Sequence, residues 1–550
     1  MLSENALIVL KKRYLLRDKK GKLIETPKQL FRRVAKVVSK GNKKLEKEFF
    51  NVMSNLEFLP NSPALMNAGT QLGQLSACFV LPVEDSLTSI FDTVKNAALI
   101  HQSGGGTGFN FSRLRPKGDL VQSTHGVASG PVSFMAVIDK ATDVIKQGGK
   151  RRGANMGILN VNHPDITEFI TAKNKPVLNN FNISVAVTDK FMGAVKKNKS
   201  YDLIDPRTGK RKKESARKIF SLIAYNAWKN GDPGLIFIDE INRHNPTPEL
   251  GRIEATNPCG EVPLLPYESC ILGSINLNKA IDNKKINFKR LEDLVRTGVV
   301  FLNNVIDVNK YPLGEIEKIT KKNRKIGLGV MGFADMLVKL GIPYDSEKAV
   351  RTGEEIMKFI KEKAKKYSRK NKTLTTIAPT GTISLIADCS SGIEPLFAIA
   401  FVKEVLGGTN LLIANKEFEK IAKEKGFYSK KLTGKIAKKG SLKGIKEIPK
   451  EIRMLFATAL DIKPEWHLRM QAAFQKHIDN AVSKTINLPN SATVNDVKNI
   501  FLLAHKLKCK GITIYRYGSK PEQVLYVDVP KKILMAKAEF GSCPSGVCYG

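Results

Sequence analysis

Residues 181–200 read FNISVAVTDKFMGAVKKNKS, and this stretch decides the class of fold. Its first seven residues are rich in β-branched and aromatic side chains, which is typical of a strand. Thr188 and Asp189 follow directly and predict the cap of a helix. Five further stretches are strand-like: PGLIFID (233–239), CILGSINL (270–277), TLTTIA (373–378), VSKTINLP (482–489) and GITIYRY (511–517). Because helical stretches separate them, the sequence predicts an α/β fold with a mainly parallel sheet, open or closed into a barrel.

The chain divides into three regions. Residues 1–55 predict a helical N-terminal region, in which Thr26 resembles an N-cap and Pro27 the first residue of a helix. Residues 56–520 alternate glycine-rich turns with strands and helices and form the main α/β unit. Residues 521–550 lose clear periodicity and end in GSCPSGVCYG, which predicts a mobile tail.

The composition excludes several classes of protein. The chain has 550 residues, of which 42% are hydrophobic and 26% charged, as in ordinary globular proteins. Seven cysteines are too few for a disulfide scaffold. No apolar run approaches the roughly 18–20 residues of a membrane span, and the N-terminus has the wrong charge order for a secretory signal. We therefore expect a cytoplasmic protein whose thiols are reduced or redox-active.

The net charge is +38, from 90 Lys and Arg against 52 Asp and Glu. Such an excess is typical of proteins that bind nucleic acids or other polyanions. Most of it is Lys in runs such as KRKKESARK (210–218) and KEKAKKYSRKNK (361–372), which hold few aromatic residues that could stack on bases. This pattern favours a solvated basic surface and disfavours a nucleic-acid partner.

One cysteine lies among groups that could act on a small ligand. In TNPCGEVPL (256–264), Asn257, Cys259 and Glu261 stand at alternate positions. On an extended segment these three side chains would point to one side and offer an amide, a thiol and a carboxylate. The intervening Pro258 and Gly260 indicate a tight loop. A surface turn that happens to contain a cysteine explains this stretch, taken alone, equally well.

The remaining cysteines have different settings. They are Cys78, Cys270, Cys389, Cys509, Cys543 and Cys548. The first two lie in strand-like stretches, and the next two are expected to pack in the core. The last two lie on the glycine-containing tail, which is typical of thiol–disulfide exchange. Closely spaced Cys and His ligands are absent, so we predict no metal site.

Three glycine-containing stretches are candidates for holding an anion. PTGTIS (379–384) follows a strand-like stretch and precedes a helix start, so its N–H groups and hydroxyls would point at a phosphate. SGGGTGFN (103–110) would let the backbone approach a ligand closely. QGGKRRGAN (147–155) adds clustered cations. None of them is a Walker A loop, and each alone is more often a plain turn.

Taken together and in order, the motifs resemble the catalytic subunit of ribonucleotide reductases. The resemblance is strongest to class II, the adenosylcobalamin-dependent (vitamin B12-dependent) enzymes. The stretches that carry it are FLPNSPALMNAG, SACFVLPVEDS, SGGGTGFNFSRLRPKGD, QGGKRRGANMG, ATNPCGEVPL, NRKIGLGVMGFADML, TIAPTGTISLIADCSSGIEPLF and KGITIYRYGS. The resemblance implies a ten-stranded α/β barrel with the reactive cysteine on a central finger loop, a short helical N-terminal region and a mobile tail.

The resemblance also implies a role for each candidate. Cys259 would carry a thiyl radical that takes the 3′ hydrogen of the substrate. Glu261 would take the proton of the 3′ hydroxyl, and Asn257 would hydrogen-bond the substrate hydroxyls. Cys78 and Cys270 would be the reducing pair that ends as a disulfide.

Further residues would bind ligands or partners. Cys543 and Cys548 would re-reduce the disulfide and be reset by a thioredoxin- or glutaredoxin-like partner. The implied substrate-binding residues are Ser62, Ala77, Cys78, Gly106, Asn257, Glu261, Pro379, Thr380, Gly381, Thr382 and Ile383. The implied effector loop, for nucleoside triphosphates, contains Lys150, Arg151, Arg152 and Asn155.

The class assignment rests on one short stretch. Class I large subunits carry adjacent tyrosines for radical transfer, whereas Arg516 separates Tyr515 from Tyr517 here. We therefore predict reduction of ribonucleotides, taken to be diphosphates, with adenosylcobalamin as cofactor. The sequence leaves open a class I-type subunit with a separate radical-generating subunit, a basic nucleotide- or nucleic-acid-binding protein on a degenerate scaffold, and a plain thiol–disulfide oxidoreductase. It also leaves open whether the chain is a monomer or a homodimer.

Overall fold

The structure, a computed structural model, describes residues 2–121, 125–147, 151–175, 177–405 and 409–519. The predicted tail, with Cys543 and Cys548, and the effector-loop residue Lys150 lie outside these ranges. Within them, no helix is long and apolar enough to cross a membrane.

Helices make up much of the described chain. They are α1 (Glu4–Arg13), α2 (Pro27–Val38), α3 (Lys43–Ser54), α4 (Ser62–Asn67), α5 (Leu87–Gln102), α6 (Pro131–Val144), α7 (Ile166–Thr171), α8 (Asp189–Lys196), α9 (Ala216–Asn230), α10 (Ile238–Arg243), α11 (Phe288–Val308), α12 (Gly314–Asn323), α13 (Phe333–Lys339), α14 (Glu347–Tyr367), α15 (Gly381–Ala387), α16 (Lys416–Glu424), α17 (Lys430–Lys439), α18 (Lys450–Leu455), α19 (Pro464–Gln475) and α20 (Val494–Lys506). Two predicted starts are confirmed, since Thr26 caps α2 in a reciprocal bond with Gln29 and Thr188 caps α8.

The strands are shorter than the helices. They are β1 (Phe58–Pro60), β2 (Cys78–Val80), β3 (Gly106–Asn110), β4 (Leu120–Val121), β5 (Gly126–Val127), β6 (Lys146–Gln147), β7 (Arg151–Arg152), β8 (Asn155–Asn160), β9 (Phe181–Val187), β10 (Ser200–Ile204), β11 (Arg211–Ser215), β12 (Gly234–Phe237), β13 (Ala255–Thr256), β14 (Pro263–Leu264), β15 (Ser269–Asn276), β16 (Ile281–Asp282), β17 (Lys285–Ile286), β18 (Ile326–Met331), β19 (Ala400–Val405), β20 (Thr409–Ala414), β21 (Thr485–Leu488) and β22 (Gly511–Arg516). The predicted strand-like run 181–187 coincides with β9.

The main sheet contains ten strands. Nine of them form a barrel from two parallel halves, and β1 pairs antiparallel with β15. In the first half β2, β3, β8, β9 and β12 run parallel. In the second half β15 runs parallel to β18, and β21 to β22. The halves meet in antiparallel pairs at β15–β2 and β12–β22. Residues 373–377 close the ring, because Thr375 bridges to Leu328 and Ile377 bridges to Val482. The predicted ten-stranded α/β barrel is confirmed.

Two local expectations need correction. The stretch 373–378 was expected as a regular strand, but it joins its neighbours through isolated bridges at Thr375 and Ile377. The stretch 103–110 was expected as a glycine loop, but it contains the buried strand β3. Its glycines allow another backbone segment to approach closely, because a Cβ on Gly108 would lie 1.8 Å from the backbone oxygen of Thr256.

Three hydrophobic clusters hold the barrel together. One packs α1–α3, α11 and α14 against β15 and β18, and a second packs α5–α9 and α20 against β3, β9 and β12. The third, which includes Cys78, Val262 and Cys270, lies within the barrel. This layered arrangement is the one expected when helices cover a mainly parallel sheet. It leaves the barrel interior for a loop and a ligand.

Candidate active site

A cavity inside the barrel brings together most of the predicted site residues. It is lined by Asn61, Ser62, Pro63, Ala77, Cys78, Gly105, Gly106, Ala154, Asn257, Pro258, Cys259, Glu261, Leu272, Gly273, Ser274, Ala378, Pro379, Thr380 and Ile383. Three further predicted residues are next to this lining, since Cys270 lies opposite Cys78 and Gly381 and Thr382 follow Thr380 in the chain. The groups therefore come from both halves of the barrel and from the loop between them.

That loop, residues 254–264, is called the finger loop below. It is a hairpin in which β13 pairs with β14, and Asn257 and Val262 close its tip through a backbone bond of 3.2 Å. Gly260 adopts a φ of +78°, and its N–H donates to the Asn257 carbonyl. A turn, rather than alternation along an extended segment, thus brings Asn257, Cys259 and Glu261 to the cavity. The predicted tight loop is confirmed and the extended segment was wrong, because Gly260 allows the chain to reverse there.

Both halves of the barrel hold the finger loop. The Asn182 amide, on β9, donates to the Pro258 carbonyl at 2.8 Å. On the other side, the Thr376 hydroxyl and the Ala481 N–H donate to the Glu261 carbonyl at 2.9 and 2.8 Å. These bonds fix the backbone on either side of Cys259. The cysteine itself is partly exposed, whereas Glu261 is 2% exposed.

Cys78 and Cys270 face each other across the antiparallel seam between β2 and β15. Directly opposed residues in such a pair have Cα atoms about 4.5–5.5 Å apart, within the range of about 4.4–6.8 Å seen in disulfides. Both are present as buried thiols. The Asn257 amide donates to the Cys78 sulfur at 3.2 Å, which links this pair to the finger loop.

The environment keeps the inner thiol protonated. Burial raises the pKa of Cys270 well above its usual value, and the neighbouring Cys78 and Glu261 raise it further. A neutral thiol at this position is able to supply a proton as well as electrons. Lys325, which forms a buried ion pair with Glu268 at 2.6 Å, opposes this rise.

The predicted phosphate loop has a fixed backbone. Thr380 adopts a left-handed φ of +57° immediately before α15. The Gly392 N–H donates to its hydroxyl at 2.7 Å, and the Ser391 hydroxyl donates to the Pro379 carbonyl. Residues 391–392 thus hold the loop in a conformation that a non-glycine residue rarely adopts.

The N-terminal helix α1 contributes contacts to the site that no sequence pattern predicts. Arg13 donates to the Thr382 hydroxyl at 3.4 Å, and the hydroxyls of Tyr14 and Ser62 are 2.8 Å apart. The last residue of α1 and the residue that follows it therefore contact two predicted substrate-binding elements. No local motif marks this role, although the last turn of α1 is basic.

The part of the effector loop that the structure describes is a hairpin, in which β6 pairs with β7. Asn155 begins β8 and is fully buried. Its side-chain oxygen accepts from the Thr107 hydroxyl at 2.6 Å, and its side-chain NH₂ group donates to the Thr142 hydroxyl at 2.9 Å. Asn155 thus anchors the base of the loop. Arg151 and Arg152 form β7, and the predicted effector role of the loop stays a prediction.

The two cysteines expected to pack do so. Cys509 is fully buried, and burial raises its pKa to about 12. Burial also raises the pKa of Cys389 well above its usual value. Neither of them lines the cavity.

Comparison with known proteins identifies the family. The family described as "Ribonucleotide reductase, all-alpha domain" matches residues 1–73, and "Ribonucleotide reductase, barrel domain" matches residues 76–370 and 358–515. A "Vitamin B12-dependent ribonucleoside-diphosphate reductase" of Thermoplasma acidophilum is 49% identical over 657 aligned positions, which cover 100% of this chain and 85% of that protein. A protein of the same name from Mycobacterium tuberculosis is also 49% identical and covers 100% of this chain and 82% of its own length.

A solved structure shows the same fold. The "Actinobacillus ureae class Id ribonucleotide reductase alpha subunit" superposes with a TM-score of 0.78 at 24% identity, covering 94% of this chain and 97% of that one. The family matches span the described barrel and its N-terminal helices, and the relatives are similar over the whole chain. The chain therefore belongs to the ribonucleotide reductase family of enzymes.

Proposed function

We propose that this enzyme reduces ribonucleoside diphosphates to 2′-deoxyribonucleotides through a thiyl radical on Cys259, with electrons from Cys78 and Cys270. The observation that carries the proposal is the placement of these three thiols. Cys78 and Cys259 line one cavity with Glu261, and Cys270 lies directly opposite Cys78. Two relatives at 49% identity bear the name ribonucleoside-diphosphate reductase, which supports diphosphates as substrates.

Each residue of the site has a separate role in the reaction. The Cys259 sulfur radical takes the hydrogen from C3′ of the ribose, and the Glu261 carboxylate takes the proton of the 3′ hydroxyl. The radical at C3′ weakens the neighbouring C2′–O bond. The 2′ hydroxyl then leaves as water with a proton from the thiol pair. Asn257 holds the ribose hydroxyls in place during these steps.

The thiol pair supplies the remaining atoms and electrons. Two S–H groups become one S–S bond, which releases two electrons and two protons. One proton leaves in the water, and C2′ gains a hydrogen in place of the lost hydroxyl. Glu261 then returns its proton to the 3′ oxygen, and Cys259 returns a hydrogen to C3′, so the carboxylate and the thiyl radical are both restored. The net change is one ribonucleotide and one dithiol to one deoxyribonucleotide, one water and one disulfide.

The thiol of Cys259 on the finger loop is suited to adenosylcobalamin as the cofactor. When bound, it supplies the radical that forms on Cys259. The partial exposure of Cys259, in contrast to the burial of Cys78 and Cys270, suits a thiol that receives a radical from outside the chain. The relatives named as vitamin B12-dependent support this cofactor.

The tyrosine stretch supports the same class. Arg516 donates to the Trp228 carbonyl at 3.0 Å, and its guanidinium lies 4.2 Å from the centre of that indole ring. Arg516 therefore packs against Trp228, and its position in the chain separates Tyr515 from Tyr517, which is the feature that favours class II.

The remaining ligands follow from the predicted sites. The substrate phosphates bind at Pro379–Ile383 with Ser62, Ala77 and Gly106 nearby. Nucleoside triphosphates act through the loop at 147–155, and a thioredoxin- or glutaredoxin-like protein reduces Cys543 and Cys548.

We propose in addition that two copies associate through α5 and α6. Both helices expose large apolar side chains on their outer faces, at Leu87, Phe91, Leu99, Val137 and Val144. A monomer rarely exposes so many neighbouring apolar groups. Sedimentation of the wild type and of Phe91→Lys should give a dimer and a monomer, respectively; a monomeric wild type would exclude this surface.

The deciding experiment is anaerobic reduction of all four ribonucleotides, as di- and triphosphates, with a small dithiol. Deoxynucleotides should form from diphosphates and only with adenosylcobalamin. Cys259→Ser should form no product yet unfold at the wild-type temperature, whereas the matched variant Cys389→Ser should stay active. Product without cobalamin would contradict the cofactor, and turnover by Cys259→Ser would contradict the radical role.

A further inference from the structure

One donor in the cavity wall has no role in the chemistry above. Asn61 caps α4, since its side-chain oxygen accepts from the Ala64 N–H at 2.9 Å. The residue is 7% exposed and lines the cavity. Among the residues that the structure describes, its Nδ2 has no hydrogen-bond partner although it is buried. A buried donor without a partner lowers stability, so such a group needs an explanation.

The orientation of this amide is fixed by its capping role. The Ala64 N–H is a donor, and only the side-chain oxygen of Asn61 can accept from it. The NH₂ group must therefore face away from α4, and it takes no part in the cap. The capping bond thus holds a hydrogen-bond donor at the cavity wall.

The neighbours of Asn61 indicate what this donor meets. The helix α15, which follows the phosphate loop, packs against β1, and β1 ends one residue before Asn61. Arg13 contacts Thr382 on α15, while the adjacent Tyr14 contacts Ser62. The hydroxyl-bearing residues Ser62 and Thr380 line the cavity with Asn61, and the cation Arg13 contacts the helix that follows Thr380. Glu261, the one carboxylate among the described lining residues, belongs to the finger loop.

We propose that Nδ2 of Asn61 donates a hydrogen bond to a phosphate oxygen of the bound ribonucleoside diphosphate, with the Arg13 guanidinium beside it. This inference rests on the proposed function and adds two residues to the substrate site. The finger loop contacts the ribose from one side, and the end of α1 and the cap of α4 contact the phosphates from the other. Asn61 would contribute to binding in both the ground state and the transition state, because it does not touch the reacting carbons.

The capping role allows a clean substitution. Ser caps helices about as well as Asn, so Asn61→Ser keeps the cap while removing the NH₂ donor. Asn61→Asp also keeps the cap and places a negative charge where the phosphate would lie. Asn42 caps α3 in the same way, accepting from the Leu45 N–H at 3.1 Å, and is exposed. Asn42→Ser is therefore the matched control.

The measurements are calorimetric titration of cytidine 5′-diphosphate into the full chain, steady-state kinetics, and inhibition by cytidine. Asn61→Ser should raise the Kd and the KM for the diphosphate by roughly ten- to a hundredfold, as expected for a bond to a charged group, and leave kcat within about twofold. Asn61→Asp should lose more. Asn42→Ser should match the wild type, and the inhibition constant of cytidine should not change in any variant.

Other outcomes would overturn the proposal. An unchanged Kd in Asn61→Ser, or wild-type binding by Asn61→Asp, would show that the donor does not meet the phosphate. An equal loss for cytidine would place the donor at the nucleoside. If the wild type binds the diphosphate but forms no deoxynucleotide, the proposed function fails while the Kd comparison still tests Asn61.

Discussion

Lys510 shows how a single buried charge joins the two halves of the barrel. It is 4% exposed, and its ammonium donates to the carbonyls of Asp479 and Asn480, both at 2.6 Å. Its own carbonyl accepts from the Phe237 N–H on β12. Burial lowers the pKa of Lys510 to about 8. The lysine therefore binds its proton less tightly in the folded chain than in the unfolded one.

This shift predicts a pH dependence of stability. Below pH 8 Lys510 is protonated in both states, so the cost of burying its charge is fully present. Between pH 8 and about 10.5 the unfolded chain keeps the proton that the folded chain has lost, so stability rises with pH, by up to about 3 kcal/mol. We expect thermal unfolding to show that the stability of the wild type, relative to that of Lys510→Met, increases from pH 7.5 to pH 10.

Comparing the two proteins removes the contribution of other groups. Tyr201 and Tyr311, for example, are buried groups whose pKa is raised, and they act in the opposite direction in both chains. A difference between wild type and Lys510→Met that stays constant across this pH range would contradict the lowered pKa.

The finger loop requires glycine on the strands beside it. A Cβ on Gly108 would lie 1.8 Å from the Thr256 oxygen, and one on Gly329 would lie 2.3 Å from the Thr376 oxygen. Both obstacles are backbone atoms, which cannot rotate away. The strands β3 and β18 thus admit the loop and its partner segment only because these side chains are missing.

Gly108→Ala should therefore displace the finger loop and abolish reduction, with a loss of several degrees in Tm. Gly193→Ala is the matched control, because Gly193 lies inside α8 with no atom within 4 Å of a Cβ. That change should raise stability by about 1 kcal/mol. An active Gly108→Ala of unchanged Tm would show that the loop does not depend on this approach.

Short sequence patterns predicted individual strands and helix starts. Contacts between residues far apart in the chain determined the features that the sequence did not predict. The strand β9 and the caps at Thr26 and Thr188 depend on neighbouring residues, so the sequence was enough to predict them. The stretch 373–378 is irregular because it must bridge two strands and also donate from Thr376 to the finger loop.

The same distinction applies to the site. Cys78, Cys259, Glu261 and Pro379 belong to motifs, so their meeting in one cavity could be predicted. Arg13, Tyr14 and Asn61 could not, because their roles depend on where α1 and α4 lie in the fold. In the structure, one half of the Asn61 amide caps α4, and only the burial of this residue in the cavity wall reveals the other half.

At the scale of the whole molecule, the proposed reducing pair lies where the two halves of the barrel meet. Cys78 belongs to the first half and Cys270 to the second, and the antiparallel seam places them opposite each other. Because Cys270 is fully buried, a folded protein partner cannot reach it directly. A thiol carrier on this chain or a small dithiol must therefore reset the pair, which is the role proposed for Cys543 and Cys548.

This role predicts how many products one chain makes without an added reductant. The reduced wild type holds seven cysteines. The reducing pair supports one turnover, and transfer of its disulfide to the tail pair supports a second, so a chain should form two deoxynucleotides and keep three thiols. The double variant Cys543→Ser/Cys548→Ser should form one, and Cys389→Ser should form two. Product counts and thiol titration under denaturing conditions give both quantities.

The same variant separates transfer from catalysis. With a small dithiol it should turn over continuously, because that reagent can enter the cavity and reduce the pair itself. With a thioredoxin-like protein as reductant it should stop after one product. Two products from the double variant in the absence of reductant would mean that other thiols reset the pair. Continuous turnover with the protein reductant would mean that the seam opens widely enough to expose Cys270, and the tail would then have no necessary part in the reaction.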